Sequence, residues 1–317
     1  MVRQIAIAAV AACVFGLPAC GRESGENAEP ADAAAATAAA APWFVERARE
    51  TGLDFVHFNG MSGEVYYPEI MAPGVGLLDY DNDGDLAVYL LQGQMLRGGT
   101  TPKDAVYVPR GAGLLEYDTD ADLDVYVVQG QMLGAGKTLN DAIYQPRGEL
   151  RDRLFRNDLT VGTDGTRTLR FVDVTAQSGI DVRSYGMGVT AGDIDNHGWV
   201  DIYRTGLDRT VMLRNNGDGT FSDVTEKSGT ANRGRWSVPA AFVDYDRDGW
   251  LDLFVGNYLI YSIEADLDCL SVSGQPDYCP PNSYRAQPSR LFHNRGNGTF
   301  EDVTTRALTG GAYGRAL

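Results

Sequence analysis

Asp244-Tyr245-Asp246-Arg247-Asp248-Gly249-Trp250-Leu251-Asp252 places carboxylates at alternate positions, follows the third with glycine and closes on a fourth aspartate. An oxygen-rich loop of this kind suits a hard cation, because calcium takes several carboxylate and carbonyl oxygens in a flexible geometry. The candidate ligands are Asp244, Asp246, Asp248 and Asp252, with the Trp250 carbonyl as a further donor. Related loops begin at Asp79, Glu116 and Asp193, each entered and left by short apolar runs. Four such loops in one chain describe an architecture as well as a binding motif.

Counting donors ranks the loops. The Asp193 loop offers Asp193, Asp195 and Asp201, but His197 stands where an oxygen donor is expected, and imidazole suits transition metals better than calcium. The Glu116 loop keeps Asp118, Asp120 and Asp124, with Glu116 in the opening position and Ala121 in place of the glycine. Alanine adopts positive φ less readily than glycine, so strain is expected there. The Asp79 loop has Asp79, Asp81, Asp83 and Gly84, but Ala87 replaces the closing carboxylate and weak binding is expected. An EF-hand needs a bidentate Glu at its twelfth position and helices on both sides. Here the twelfth residues are Leu90, Val127, Arg204 and Val255, and the flanks are strand-like.

Around the loops the chain repeats itself. Phe-x-Asp-Val-Thr occurs at Phe171 to Thr175, Phe221 to Thr225 and Phe300 to Thr304. Ahead of these lie Leu154-Phe155-Arg156-Asn157, Leu213-Arg214-Asn215 and Leu291-Phe292-His293-Asn294. Turns such as Asn216-Gly217-Asp218-Gly219 and Arg295-Gly296-Asn297-Gly298 separate them, which reads as β-hairpins. With two more strands flanking each acidic loop, the unit is about four short strands in roughly fifty residues, a propeller blade. The predicted fold class is all-β, with almost no helical periodicity. Residues 74–110 and 111–147 align without gaps, sharing Gln92 to Leu96 and Gln129 to Leu133, and read as a tandem duplication.

The N-terminus reads as an export segment. Arg3 precedes an apolar stretch from Ile5 to Leu17 that is too short to span a membrane. Leu17-Pro18-Ala19-Cys20 resembles a bacterial lipobox with Cys20 as the lipidated residue; plain signal cleavage nearby is the alternative. Gly21 favours an outer-membrane anchor, and incorporation of labelled palmitate at Cys20 is the check. Residues 21–42 are an Ala-rich low-complexity tether, and the folded body is expected over 43–317. Cys269 and Cys279 are the cysteines of that body. In an oxidising compartment they suit a disulfide closing a surface loop, with zinc binding the sharper alternative.

Charged residues make up 22% of the 317 positions, with a net charge of −16. Uniform acidity argues against a nucleic-acid surface, which needs clustered Lys and Arg. No Gly-x-Ser-x-Gly elbow, phosphate-binding glycine loop or His-Glu-x-x-His motif is present, and the repeated aspartates suit metal sites better than several active sites.

Gly-x-x-x-x-Asp-x-Asp-x-Asp-Gly loops, Leu-Phe-x-Asn strands and Gly-Thr-Phe-x-Asp-Val-Thr hairpins together resemble the FG-GAP/VCBS repeat family. More narrowly they are similar to bacterial relatives of cartilage acidic protein, which often carry an ASPIC/UnbV domain. The resemblance runs from about Trp43 to the end. It implies an integrin-α-like β-propeller with calcium in its loops, held by the aspartates named above. It also implies that the Cys269–Cys279 segment is a family insertion, which supports the disulfide. The chain stops at Gly314-Arg315-Ala316-Leu317, where another acidic loop would follow, and its units fall short of seven blades. An incomplete propeller, by truncation or completed through association, is therefore expected. The implied function is an exported, calcium-binding module for a protein or glycan ligand at the cell surface, without catalysis of its own. An accessory or sensor domain of an envelope enzyme system, or a non-functional fragment, is the alternative.

Overall fold

The repeated hairpins assemble into four-stranded antiparallel sheets. The computed structural model describes residues 47–53, 55–70, 75–78, 87–90, 112–116, 118, 120, 122–143, 145–146 and 148–307. All lie in one compact unit, 46–317. The export segment, the tether, Cys20 and the Asp79, Asp81 and Asp83 loop fall outside the described residues.

Strands β1 (Val75–Leu78) and β2 (Ala87–Leu90) form an antiparallel pair. The first blade is made of β3 (Ala112–Leu115), β4 (Asp124–Val127) and β5 (Arg153–Asn157). A ribbon of β6 (Thr160–Val161) and β7 (Arg167–Thr168) follows, before β8 (Phe171–Asp173) completes the sheet. The second blade runs through β9 (Gly186–Gly192), β10 (Asp201–Gly206), β11 (Val211–Asn215) and β12 (Phe221–Asp223). The third begins with β13 (Ser237–Val243) and β14 (Asp252–Asn257). It then carries the ribbon β15 (Cys269–Leu270) and β16 (Pro276–Asp277), and ends with β17 (Arg290–Asn294) and β18 (Phe300–Asp302). Cys269 and Cys279 are disulfide-bonded across that ribbon, so the zinc alternative falls away.

Within each blade every strand pairs with the next, and β3, β9 and β13 pack side by side as the innermost strands. Small residues make this approach possible. A Cβ on Gly188 in β9 would sit 2.5 Å from the Val238 carbonyl oxygen of β13. The two copies of the duplicated segment form hairpins in equivalent register, Val75 opposite Leu90 and Ala112 opposite Val127. Among the described residues only the second hairpin is continued into a four-stranded blade.

Strand alternation lets one blade feed two interfaces. In β10, Ile202 packs with Leu154, Val182 and Phe221 between the first and second blades. Its neighbour Tyr203 packs with Leu253, Val255 and Phe292 between the second and third.

The repeated motifs supply the pins. Phe171, Phe221 and Phe300 are buried anchors. In each motif the aspartate orients the threonine, and the threonine hydroxyl accepts an N–H from the blade's third strand. Leu154 N–H reaches Thr175 Oγ1 at 2.9 Å, Met212 N–H reaches Thr225 Oγ1 at 2.8 Å, and Leu291 N–H reaches Thr304 Oγ1 at 3.0 Å.

A buried ion pair crosses the interface between the first two blades. Arg204 Nε donates to Asp152 Oδ2 at 2.9 Å, and both side chains are fully buried. Asp152 also accepts from Tyr126 Oη and Gln129 N–H, each at 2.8 Å, while Arg204 reaches Ser184.

Residues 55–70 form a strap over the loops of all three blades. Phe58 N–H donates to Gln129 Oε1 at 2.7 Å, Tyr185 Oη donates to the Asn59 carbonyl at 2.9 Å, and Tyr67 stacks on Tyr258 and Tyr284.

Candidate metal centres

Each acidic loop joins the first and second strands of a blade, so the fold puts the loops at corresponding positions. In the third blade, ligand atoms of Asp244, Asp246 and Asp248 all lie within 4.8 Å of one another. The loop's own N–H groups orient them. Asp248 and Gly249 donate to Asp244 at 3.1 and 3.0 Å, and Trp250 donates to Asp248 at 2.9 Å. The turn needs positive φ at Gly249, at +90°, which explains the glycine. Three carboxylates presented together make an oxygen donor set that fits calcium.

The closing aspartate behaves differently from the other three. Asp252 opens β14, is fully buried, and spends its oxygens inside the blade. It accepts Asn294 N–H at 2.8 Å and Tyr245 N–H at 3.2 Å. His293 Nδ1 lies 3.1 Å from Asp252 and 3.4 Å from Asp246. The structure therefore groups Asp252 with Asp246 and His293, apart from Asp244 and Asp248. Asp201 and Asp124 hold the same position, with Asn215 N–H at 2.8 Å and Asn157 N–H at 2.9 Å. The Leu-x-x-Asn and closing-Asp signatures thus meet in one recurrent clamp between second and third strands.

In the second blade Asp193, Asp195, His197 and Asp201 come together. Burial and the charge of Asp195 push the Asp201 carboxyl up to about 6. Burial would also raise Asp193, but hydrogen bonds from His197 and Gly198 outweigh it and hold that carboxyl below its ordinary range. For His197 burial works against the charged form. The Asn215 carbonyl and the nearby carboxylates more than offset it, and its pKa is raised. In the first blade Glu116, Asp118 and Asp124 converge, while Asp120 instead accepts the Asp122 N–H at 3.0 Å. Burial and the charges of Asp120 and Glu116 push Asp118 up to about 6.

Sequence reasoning missed the third-strand residue before the clamp asparagine. Arg214 in β11 and His293 in β17 each lean onto a loop carboxylate. The signal was present, because both stand immediately before the clamp asparagine, but only the folded contacts show that this position faces the loop.

Elsewhere, Gln131, Tyr185, Asp208, Tyr261 and Glu264 help to line a groove of about 440 Å³ built from loops of all three blades. It combines aromatic rings with planar polar groups.

Residues 193–255, from the Asp193 loop through most of β14, match the model of the FG-GAP-like repeat family. Cartilage acidic protein 1 of Homo sapiens is 31% identical over 87 residues, covering 27% of this chain and 13% of that protein. The Xenopus tropicalis and Mus musculus proteins of that name are each 30% identical over 87 residues, covering 13% and 14% of their lengths. The chain therefore spans a small part of these relatives. Among solved structures, one describing recognition of non-reducing terminal N-acetylglucosamine by an Agrocybe aegerita lectin shows 14% identity and a TM-score of 0.31. It covers 71% of this chain and 49% of that one, and a likeness at that level carries no argument. What the comparisons support is an FG-GAP-like repeat set in an all-β, propeller-like array of blades.

Proposed function

We propose that the protein is a calcium-stabilised, non-catalytic binding module. The observation that carries the reading is the convergence of Asp244, Asp246 and Asp248 in a loop whose backbone already orients the carboxylates. Calcium bound there ties the β13–β14 connection together and relieves the mutual repulsion of three acids. Calorimetric titration with calcium chloride is expected to show binding at about 10⁻⁴ to 10⁻³ M, the range of extracellular modules. At a hundredfold excess over Kd, binding adds about 2.7 kcal/mol of stability, which chelator removes. Asp248→Ala is expected to abolish most of that difference. A melting temperature indifferent to calcium and chelator would sink the proposal.

The ligand surface we assign is the groove bordered by Tyr185, Asp208, Tyr261 and Glu264. Tyrosine rings beside planar hydrogen-bonding groups suit the apolar faces and hydroxyls of a sugar ring. A glycan array is expected to yield a saccharide ligand whose affinity falls roughly tenfold in Glu264→Ala, about 1.4 kcal/mol, with melting unchanged because Glu264 is exposed. Failure of the array, with a protein ligand lost in the same variant, would replace the glycan by a protein partner.

A further inference from the structure

The Asp193 loop has the same backbone setting as the Asp244 loop but a different occupant. His197 Nδ1 lies 3.0 Å from Asp193 Oδ1 and 2.7 Å from Asp195 Oδ1, and its Nε2 lies 2.9 Å from the Asn215 carbonyl oxygen. Carboxylates and carbonyls only accept hydrogen bonds, so the ring fills the space between the loop carboxylates and β11 with its nitrogens turned to acceptors on both sides. Arg214 Nε donates to Asp195 Oδ2 at 2.7 Å. The backbone orients the other carboxylate oxygens just as it does in the third blade. Asp193 accepts the N–H groups of His197 and Gly198 at 3.1 and 2.8 Å. Asp201 accepts those of Ile194 and Asn215 at 2.9 and 2.8 Å.

We infer that the Asp193 loop is closed to calcium, because the side chains of His197 and Arg214 already stand among its carboxylates as resident counter-groups. Calcium needs several oxygens at 2.3–2.6 Å, and two of the three carboxylates that would supply them are bonded to nitrogen side chains. The guanidinium is permanently charged and would repel a divalent ion brought to the same oxygens. In the third blade Asp248 stands at the place of His197, so one additional carboxylate replaces the imidazole.

The second blade therefore has an ion-independent version of the clamp. His197 joins the loop to the Asn215 carbonyl at the end of β11, doing with hydrogen bonds what the third blade does with a cation. The repeat is thus mixed, with one loop that responds to calcium and a neighbour that does not.

This inference concerns a different loop from the proposed calcium site, and it shares with that reading only the premise that such loops can hold calcium. The test is calorimetric titration of the full chain with calcium chloride. In wild type, Asp193→Ala is expected to leave the number of bound ions unchanged. In an Asp248→Ala background, the pair His197→Asp with Arg214→Gln is expected to create a new site, lost again when Asp193→Ala is added. Hydrogen exchange of β10 and β11 verifies that each variant is folded. Loss of a wild-type ion in Asp193→Ala, or no new ion in the folded double variant, overturns the inference. Wild-type protein that binds no calcium while the double variant gains a site would refute the proposed function and leave this inference standing.

Discussion

Asp152→Ala is expected to destabilise the folded chain by about 3–5 kcal/mol, the usual cost of removing one partner from a buried ion pair. The pair has no exposed atoms to soften the loss, with both side chains at 0%. Without the carboxylate, Arg204 keeps only its contacts to Ser184, and its charge remains inside the interface between the first and second blades. Tyr126 Oη and Gln129 N–H lose their acceptor in the same step. Replacing both partners with apolar groups removes the stranded charge. Asp152→Leu with Arg204→Met should therefore recover a large part of the stability. Equilibrium urea unfolding of the three proteins is the measurement. A single variant within about 1 kcal/mol of wild type would show that the pair is solvated or dispensable, contrary to the cost expected for burial.

Asp252→Ala is expected to cost about 2–6 kcal/mol, and to cost it equally in calcium and in chelator. The carboxylate accepts two backbone N–H groups, from Asn294 and Tyr245, and each buried donor left unsatisfied costs about 1–3 kcal/mol. This separates the clamp from the proposed metal ligands. Asp248 is exposed and meets the rest of the molecule mainly through its own loop, so Asp248→Ala should matter in calcium and little in chelator. Thermal melts of both variants, with and without chelator, form a two-by-two comparison. If Asp252→Ala lost its effect in chelator, Asp252 would be a calcium ligand first and a strand clamp second.

The blade unit was legible because its determinants are local. Phe-x-Asp-Val-Thr pins a hairpin through bonds within a few residues and one to the adjacent strand, as at Asp223, Thr225 and Met212. The acidic loops were legible for the same reason, since Gly249 and the alternate aspartates set a turn from nearby groups. What escaped was long-range. The closing aspartates looked like simple loop ligands, yet their main partners lie on the third strand, reached across 42 residues in the case of Asn294. Arg204 read as one more strand residue, because its partner Asp152 lies 52 residues earlier in an unremarkable stretch. In the first blade the expected tight hairpin is opened by the β6–β7 ribbon, an insertion the strand motifs on either side do not register.

The strap of residues 55–70 has a consequence for the order in which the chain matures. Its partners are spread along nearly the whole body: Gln129 lies 71 residues downstream of Phe58, Tyr185 lies 126 beyond Asn59, and Tyr258 lies 191 beyond Tyr67. Each blade can form from neighbouring strands, but the strap cannot settle until the third blade exists. Contacts of such separation are slow to form, since the loop must close before the contact rewards it. The earliest synthesised part of the body is thus the last to find its place, and it holds the finished blades in register only after all three are made.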